Sequence, residues 1–327
     1  MKPIEIGGIS AGPVAFVGDA GYIVGGDYNK IRRWQVHDGK GVGQPMYGGD
    51  YVSSIAVSRE GKWIVCGTES GQVAVWNAES HEKVSEFKGH DKAVWAVDIL
   101  PDTTRIASGS DDRTVRVWSR STGEQLLRPL EHDLDVAAVK FSPDGQFIAT
   151  ATWKRKSVRV YDNRNGRLLS ASPISVGSYY NQSLTWVSDS KQLFALSRDG
   201  KIHCLDVPTG RILSAWAIHS NDDPRCVALA SNGAFIAASA GSSVSFWDTA
   251  THNQIGPVIR HQDDAEYMAV SANDDIAVSG DKIVLRKLPD ILPSSYFDDV
   301  GVFRCQRDPM HCDSLTAIDA RSLPHVH

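Results

Sequence analysis

Seven positions in this 327-residue chain recur at nearly constant spacing. Trp34, Trp76, Trp118, Tyr161, Leu205, Trp247 and Arg286 each close a short alternating apolar run, and successive separations are 42, 42, 43, 44, 42 and 39 residues. A unit of about 40–45 residues with four strands cannot bury its apolar face alone, so copies must stack on one another. No stretch between Ile4 and Leu288 carries a convincing helical period. The spacing therefore predicts an all-β chain of seven four-stranded units.

The clearest unit contains Ile106–Trp118, IASGSDDRTVRVW. Ile106–Ser110 reads as a short strand ending in small residues. Asp111-Asp112-Arg113 reads as a tight turn, because Asp tolerates turn dihedrals and bonds its own backbone. In Thr114–Trp118, Val115 and Val117 point one way and Thr114, Arg116 and Trp118 the other, which predicts an antiparallel hairpin. Gly89-His90 and a strand at Ala93–Ile99 precede it. A turn at Thr122-Gly123 leads to a fourth strand expected at Gln125–Leu130.

A Gly-His pair, a strand, SGSxD and VRVW together resemble a WD40 repeat, the blade of a β-propeller. This copy ends in Trp118-Ser119 where the family usually has Trp-Asp; Trp247-Asp248 is the one intact pair among the seven repeat positions. The resemblance covers roughly residues 3–288 and implies a seven-bladed WD40-like β-propeller. It also implies a hydrogen-bonded tetrad of His90, Ser108, Asp112 and Trp118. Side-chain chemistry agrees: Asp112 can accept from His90, His90 can bond Ser108, and the hydroxyl can accept from the donor-only Trp118 indole. Tyr28 stands where Asp112 stands, Leu205 and Arg286 replace the aromatic, and WKRKS (Trp153–Ser157) replaces the Asp-bearing turn in blade four. Only blade three then has all four residue types, so the other blades are expected to rely on apolar packing.

Pro289 and Pro293 suit a strand poorly. The fourth strand of blade seven is therefore expected from Pro3–Gly7, closing the ring as in the family. Residues 1–288 are expected to form the propeller. Residues 289–327 show no repeat and read as a partly ordered tail, in which Ile291, Leu292, Tyr296 and Phe297 can pack on the rim. The repeats also resemble those of stand-alone WD40-repeat proteins of filamentous fungi.

Net charge is −5 and the pI about 6.1, which argues against a protein devoted to nucleic acid or an anionic membrane. Five cysteines are scattered at 66, 204, 226, 305 and 312, with no disulfide framework. Met1–Gly8 has no apolar leader core, and no apolar run reaches membrane-spanning length. A cytoplasmic location is expected, with the nucleus as the other candidate.

His90, Ser108 and Asp112 have the residue types of a hydrolase triad, yet the structural tetrad explains their place in the repeat. No Gly-x-Ser-x-Gly elbow accompanies them. Cys305, His311, Cys312, His325 and His327 match no standard zinc spacing. No catalytic residue, metal or cofactor is assigned. The inner strands, such as VAAVKFS and CVALAS, supply few carboxylates or histidines for a lactonase-like propeller. The expected role is a non-catalytic protein–protein interaction scaffold gripping peptide or protein partners on one face. Its candidate contacts are Trp95, Trp153, Lys154, Arg155, Lys156 and Arg225, extended by Tyr179-Tyr180 and His219–Asp223. An exposed Trp beside three cations favours an acidic or phosphorylated partner. The same Lys154–Lys156 patch would serve a nucleic-acid-associated propeller, which the acidic pI disfavours.

Overall fold

Blade three shows how a repeat becomes a sheet. Val94–Ile99, Arg105–Ser110 and Thr114–Ser119 pair antiparallel in that order, with Leu130–Glu131 outside them. Seven such four-stranded sheets form among the described residues of the computed structural model, which are 2–7, 12–18, 21–153, 157–176, 183–218, 222–230 and 232–297. Their inner strands stand side by side in a closed circuit, the seventh (Tyr267–Val270) beside the first (Val14–Val17).

The periodic residues share one register. Trp34, Trp76, Trp118, Tyr161, Leu205, Trp247 and Arg286 pair with Ile23, Ile64, Ile106, Ile148, Leu193, Ile236 and Ile276 of their second strands. Equivalent side chains therefore reach the seam with the preceding blade. Trp118 lies at 5.7 Å from Phe87 of blade two and is stacked on it. Trp34 packs with Ile6, Ile283 and Leu285 of the seventh sheet. The core is thus a set of seams between blades. Burial of this kind stabilises by about 25 cal/mol per Å² of apolar surface.

The N-terminal segment supplies the outer strand of the seventh sheet. Ile4, Glu5 and Ile6 pair with Leu285, Val284 and Ile283. Lys282 Nζ adds an ion pair to Glu5 Oε2 at 2.7 Å.

Blade three's outer strand is shorter than expected. An isolated bridge joins Gln125 to Trp118, and regular pairing resumes only at Leu130–Glu131. Pro129 has no N–H for the ladder, which accounts for the gap.

The compact unit runs through Phe297, beyond the expected boundary at 288. Leu288–Asp290 and Ser294–Tyr296 form two short 3-10 turns. Ile291, Leu292, Tyr296 and Phe297 pack against the apolar seam of blades six and seven. Tyr296 Oη donates to Asp248 Oδ2 at 2.8 Å, and Asn232 Nδ2 donates to Tyr296 O at 2.7 Å. Gly256 makes room for this clasp: its φ is +62°, and a Cβ there would sit 2.7 Å from Leu292 Cδ2. Residues 298–327, with the cysteine and histidine candidates for zinc, lie outside the described residues.

Candidate functional site

His90, Ser108, Asp112 and Trp118 come together in the seam between blades two and three. His90 Nδ1 lies 2.7 Å from Asp112 Oδ2 and Nε2 lies 2.7 Å from Ser108 Oγ. Trp118 Nε1 donates to Ser108 Oγ at 2.9 Å. This pattern fits an Nδ1–H tautomer that donates to the carboxylate while Nε2 accepts the serine proton. Thr114 also binds Asp112 Oδ1, through its N–H at 2.9 Å and its hydroxyl at 2.7 Å. Burial pushes the Asp112 carboxyl up, but the bonds from His90 and Thr114 outweigh it and hold the group well below the usual carboxylate range. Gly89 precedes His90 because a Cβ there would lie 2.6 Å from Trp118 Cη2. Ser108 is fully buried, with both partners inside the seam. Its hydroxyl therefore works as a fastener between strands.

Blade four holds a related arrangement that the reading of residue types missed. His132 Nε2 lies 2.9 Å from Thr150 Oγ1 and 3.4 Å from Tyr161 Oη, and Nδ1 donates to Leu130 O at 2.9 Å. The signal was spacing: His132 precedes Thr150 by 18 residues, as His90 precedes Ser108. Other blades replace the hydroxyl. Cys66, Ala195, Ala238 and Val278 stand at the Ser108 position, two residues after the paired Ile or Leu. Blade six moves it to the neighbouring strand, where Trp247 Nε1 donates to Ser245 Oγ at 2.9 Å. In blade seven His261 Nε2 is buried without a partner, since Val278 offers it no hydroxyl.

The family's sequence profile, WD domain, G-beta repeat, matches residues 44–77, 81–119, 124–162 and 210–248. Each matched stretch begins at the outer side of one blade and ends on the third strand of the next. The protein is a seven-bladed β-propeller that carries four WD40 repeats. The first three strands of blades one and five and all of blade seven lie outside the matches. Those blades carry Tyr28, Leu205 and Arg286 at signature positions.

One end of the ring carries the connections from outer to inner strands and the turns between second and third strands. Inner strands of blades two, three, four and six shift register at this end, between Val52 and Ser54, Val94 and Ala96, Val136 and Ala138, and Pro224 and Val227. A bulge re-aims the extra side chain. Trp95 occupies the bulge in blade three, half-buried, near Asp111. Burial pushes the Asp111 carboxyl up, against the pull of the nearby Trp95 indole, and the Asp135 charge pushes the same way as burial. Arg225 occupies the bulge in blade six, where Nη2 pairs with Asp264 Oδ2 of the next connection at 2.9 Å.

Trp153 differs from its expectation as an exposed contact. It is partly buried against the apolar seam of blades four and five and bridges to Val176. A Trp at the end of a second strand gains more from that seam than from solvent. Lys154, Arg155, Lys156, Tyr179, Tyr180 and residues 219–221 lie outside the described residues. Sequence reading also passed over an aromatic pair. Tyr28 is 66% exposed and meets Tyr51 edge-on, ring centroids 6.5 Å apart. Burial pushes the Tyr51 phenol up, and the carboxylates of Glu266 and Glu69 add to it. Blades one, two and seven therefore bring side chains to one place.

Among the described inner strands Asp98 is the one carboxylate, and it is already engaged. Its Oδ2 accepts Phe141 N–H of blade four at 2.7 Å, and Lys140 Nζ lies at 3.8 Å. No described helix is long and apolar enough to cross a membrane.

Proposed function

We propose that this WD40 propeller is a non-catalytic interaction scaffold. It binds a peptide or protein partner on the end that carries the outer-to-inner connections. The observation behind this reading is the set of bulges at that end of four inner strands, which set Trp95 and Arg225 outside the regular pairing there. A stiff sheet holds such side chains with little entropy left to lose on binding. WD40 propellers are in general scaffolds of this kind. Trp95, Arg225 and the Lys154–Lys156 turn are its proposed contacts. A reducing compartment, cytoplasm or nucleus, suits Cys66, Cys204 and Cys226, which are buried free thiols.

The test is quantitative capture from native lysate with three proteins of equal unfolding temperature. They are the wild type, Trp95→Ala on the proposed face, and Leu213→Ser on the rim. Partners lost with the face variant and kept with the rim variant support the scaffold. Partners kept by both variants, or lost equally from both, count against this face.

A further inference from the structure

We infer that the end of the ring proposed above as the binding face docks a cationic segment of a partner protein through its Lys or Arg side chains. This rests on the scaffold reading and adds the chemistry of the partner.

The charges are strongly sorted between connections. The outer-to-inner connections span residues 48–51, 89–93, 132–135, 218–223 and 261–266, with uncharged ones at 7–13 and 173–183. Together they hold nine carboxylates and one cation, Lys92. The turns at the opposite end hold ten carboxylates and nine cations. The first set alone is net −8, while the whole chain is −5. The described turns between second and third strands lie at the same end. Counted by sequence with Lys154, Arg155 and Lys156, which lie outside the described residues, these connections and turns hold fourteen carboxylates and seven cations, and Arg225 of the blade-six bulge adds an eighth, paired with Asp264.

The acidic groups also converge. Glu69 from blade two and Glu266 from blade seven both act on Tyr51, and Asp135 of blade four acts on Asp111 of blade three. An incoming cation is attracted by each of these charges. The edge-on Tyr28–Tyr51 pair stands beside Glu69 and Glu266. Aromatic faces with flanking carboxylates hold ammonium and guanidinium groups through cation–π attraction and charge-assisted hydrogen bonds.

Charge also decides among occupants. Residues 298–327 carry five carboxylates and three cations, so they share the sign of the face. A second copy docking the same face through a two-fold axis would set acid against acid. Nucleic acid would be repelled. A basic protein segment is the complement, and its encounter is accelerated by long-range attraction and weakened by salt.

The probe is a fluorescein-labelled peptide of alternating arginine and glycine, read by anisotropy, with a glutamate–glycine peptide as its pair. Glu69→Gln/Asp135→Asn/Glu266→Gln removes three charges from the face, and Glu79→Gln/Glu82→Gln/Glu124→Gln removes three from the opposite end. The arginine peptide should bind the wild type, lose affinity with rising salt, and bind the face variant roughly tenfold more weakly. The opposite-end variant should match the wild type. Equal binding of both peptides, equal loss in both variants, or no binding of the arginine peptide overturns the inference. The scaffold reading fails separately: lysate partners that depend on Trp95 but survive the triple face variant preserve the scaffold and remove the cationic partner.

Discussion

Ser108 shows how much rests on one hydroxyl. It receives the Trp118 N–H and bonds His90, all inside a dry seam. Ser108→Ala leaves two buried polar atoms without their partner, and stability should fall by about 1–3 kcal/mol in urea unfolding. Blade four makes a prediction about pH. Burial, helped by the Arg159 charge, pushes the His132 imidazole down to about 4 from 6.5. Folded His132 stays neutral through this interval while the unfolded chain takes up a proton. Its contribution is therefore complete above pH 6.5 and lost as pH falls toward 4, at most about 3 kcal/mol. His261 follows the same sign, also near 4, through burial and then the Arg286 charge. The unfolding temperature of the wild type should drop between pH 6.5 and 4. His132→Gln should be less stable at neutral pH and flatter across that interval; an unchanged slope would refute the assignment. The blade-three tetrad was legible because all four residue types fell at repeat positions. The blade-four arrangement was harder to read because Thr and Tyr stood in for Ser and Trp.

Second and third strands followed from alternation and turn chemistry, both local properties. Outer strands were less legible, because half their surroundings come from the next blade. Ser170 Oγ and Ser172 Oγ of blade four, for instance, donate to Val207 O and Gly210 O of blade five. The chain after Lys287 depends on distant neighbours even more. Its Ile291, Leu292, Tyr296 and Phe297 read as able to pack on the rim, but where they dock depends on blade six, which offers Phe235, Asp248 and the opening at Gly256. Tyr296→Phe should cost about 0.5–1.5 kcal/mol by removing the bond to Asp248. Gly256→Val should cost more, since it combines a positive φ with a clash against Leu292. Differential scanning calorimetry of the two variants checks the order. A Gly256→Val protein as stable as the wild type would mean that the clasp contributes nothing.

At the scale of the ring, Ile4–Ile6 and Ile283–Leu285 join opposite ends of the repeat array. Deleting residues 1–7 exposes the edge of the third strand of blade seven and uncovers the seam that holds Trp34. Loss of Ile6 burial with the strand pairing should cost at least about 3 kcal/mol and leave an edge prone to association. Light scattering with thermal unfolding would show both effects. The charge pattern also belongs to this scale. Asp50, Asp135 and Glu266 are far apart in sequence, and nothing local relates them. They share one end because every outer-to-inner connection returns there. By itself the sequence determined the unit, its sevenfold repetition and the register of Trp34 through Arg286, because strand alternation, turns and spacing are encoded within each repeat. Only the tertiary structure decided that Trp153 sinks into a seam, that His132 meets Thr150 and Tyr161, and that nine scattered carboxylates crowd one face. Those outcomes depend on which segments the closed ring brings together in space.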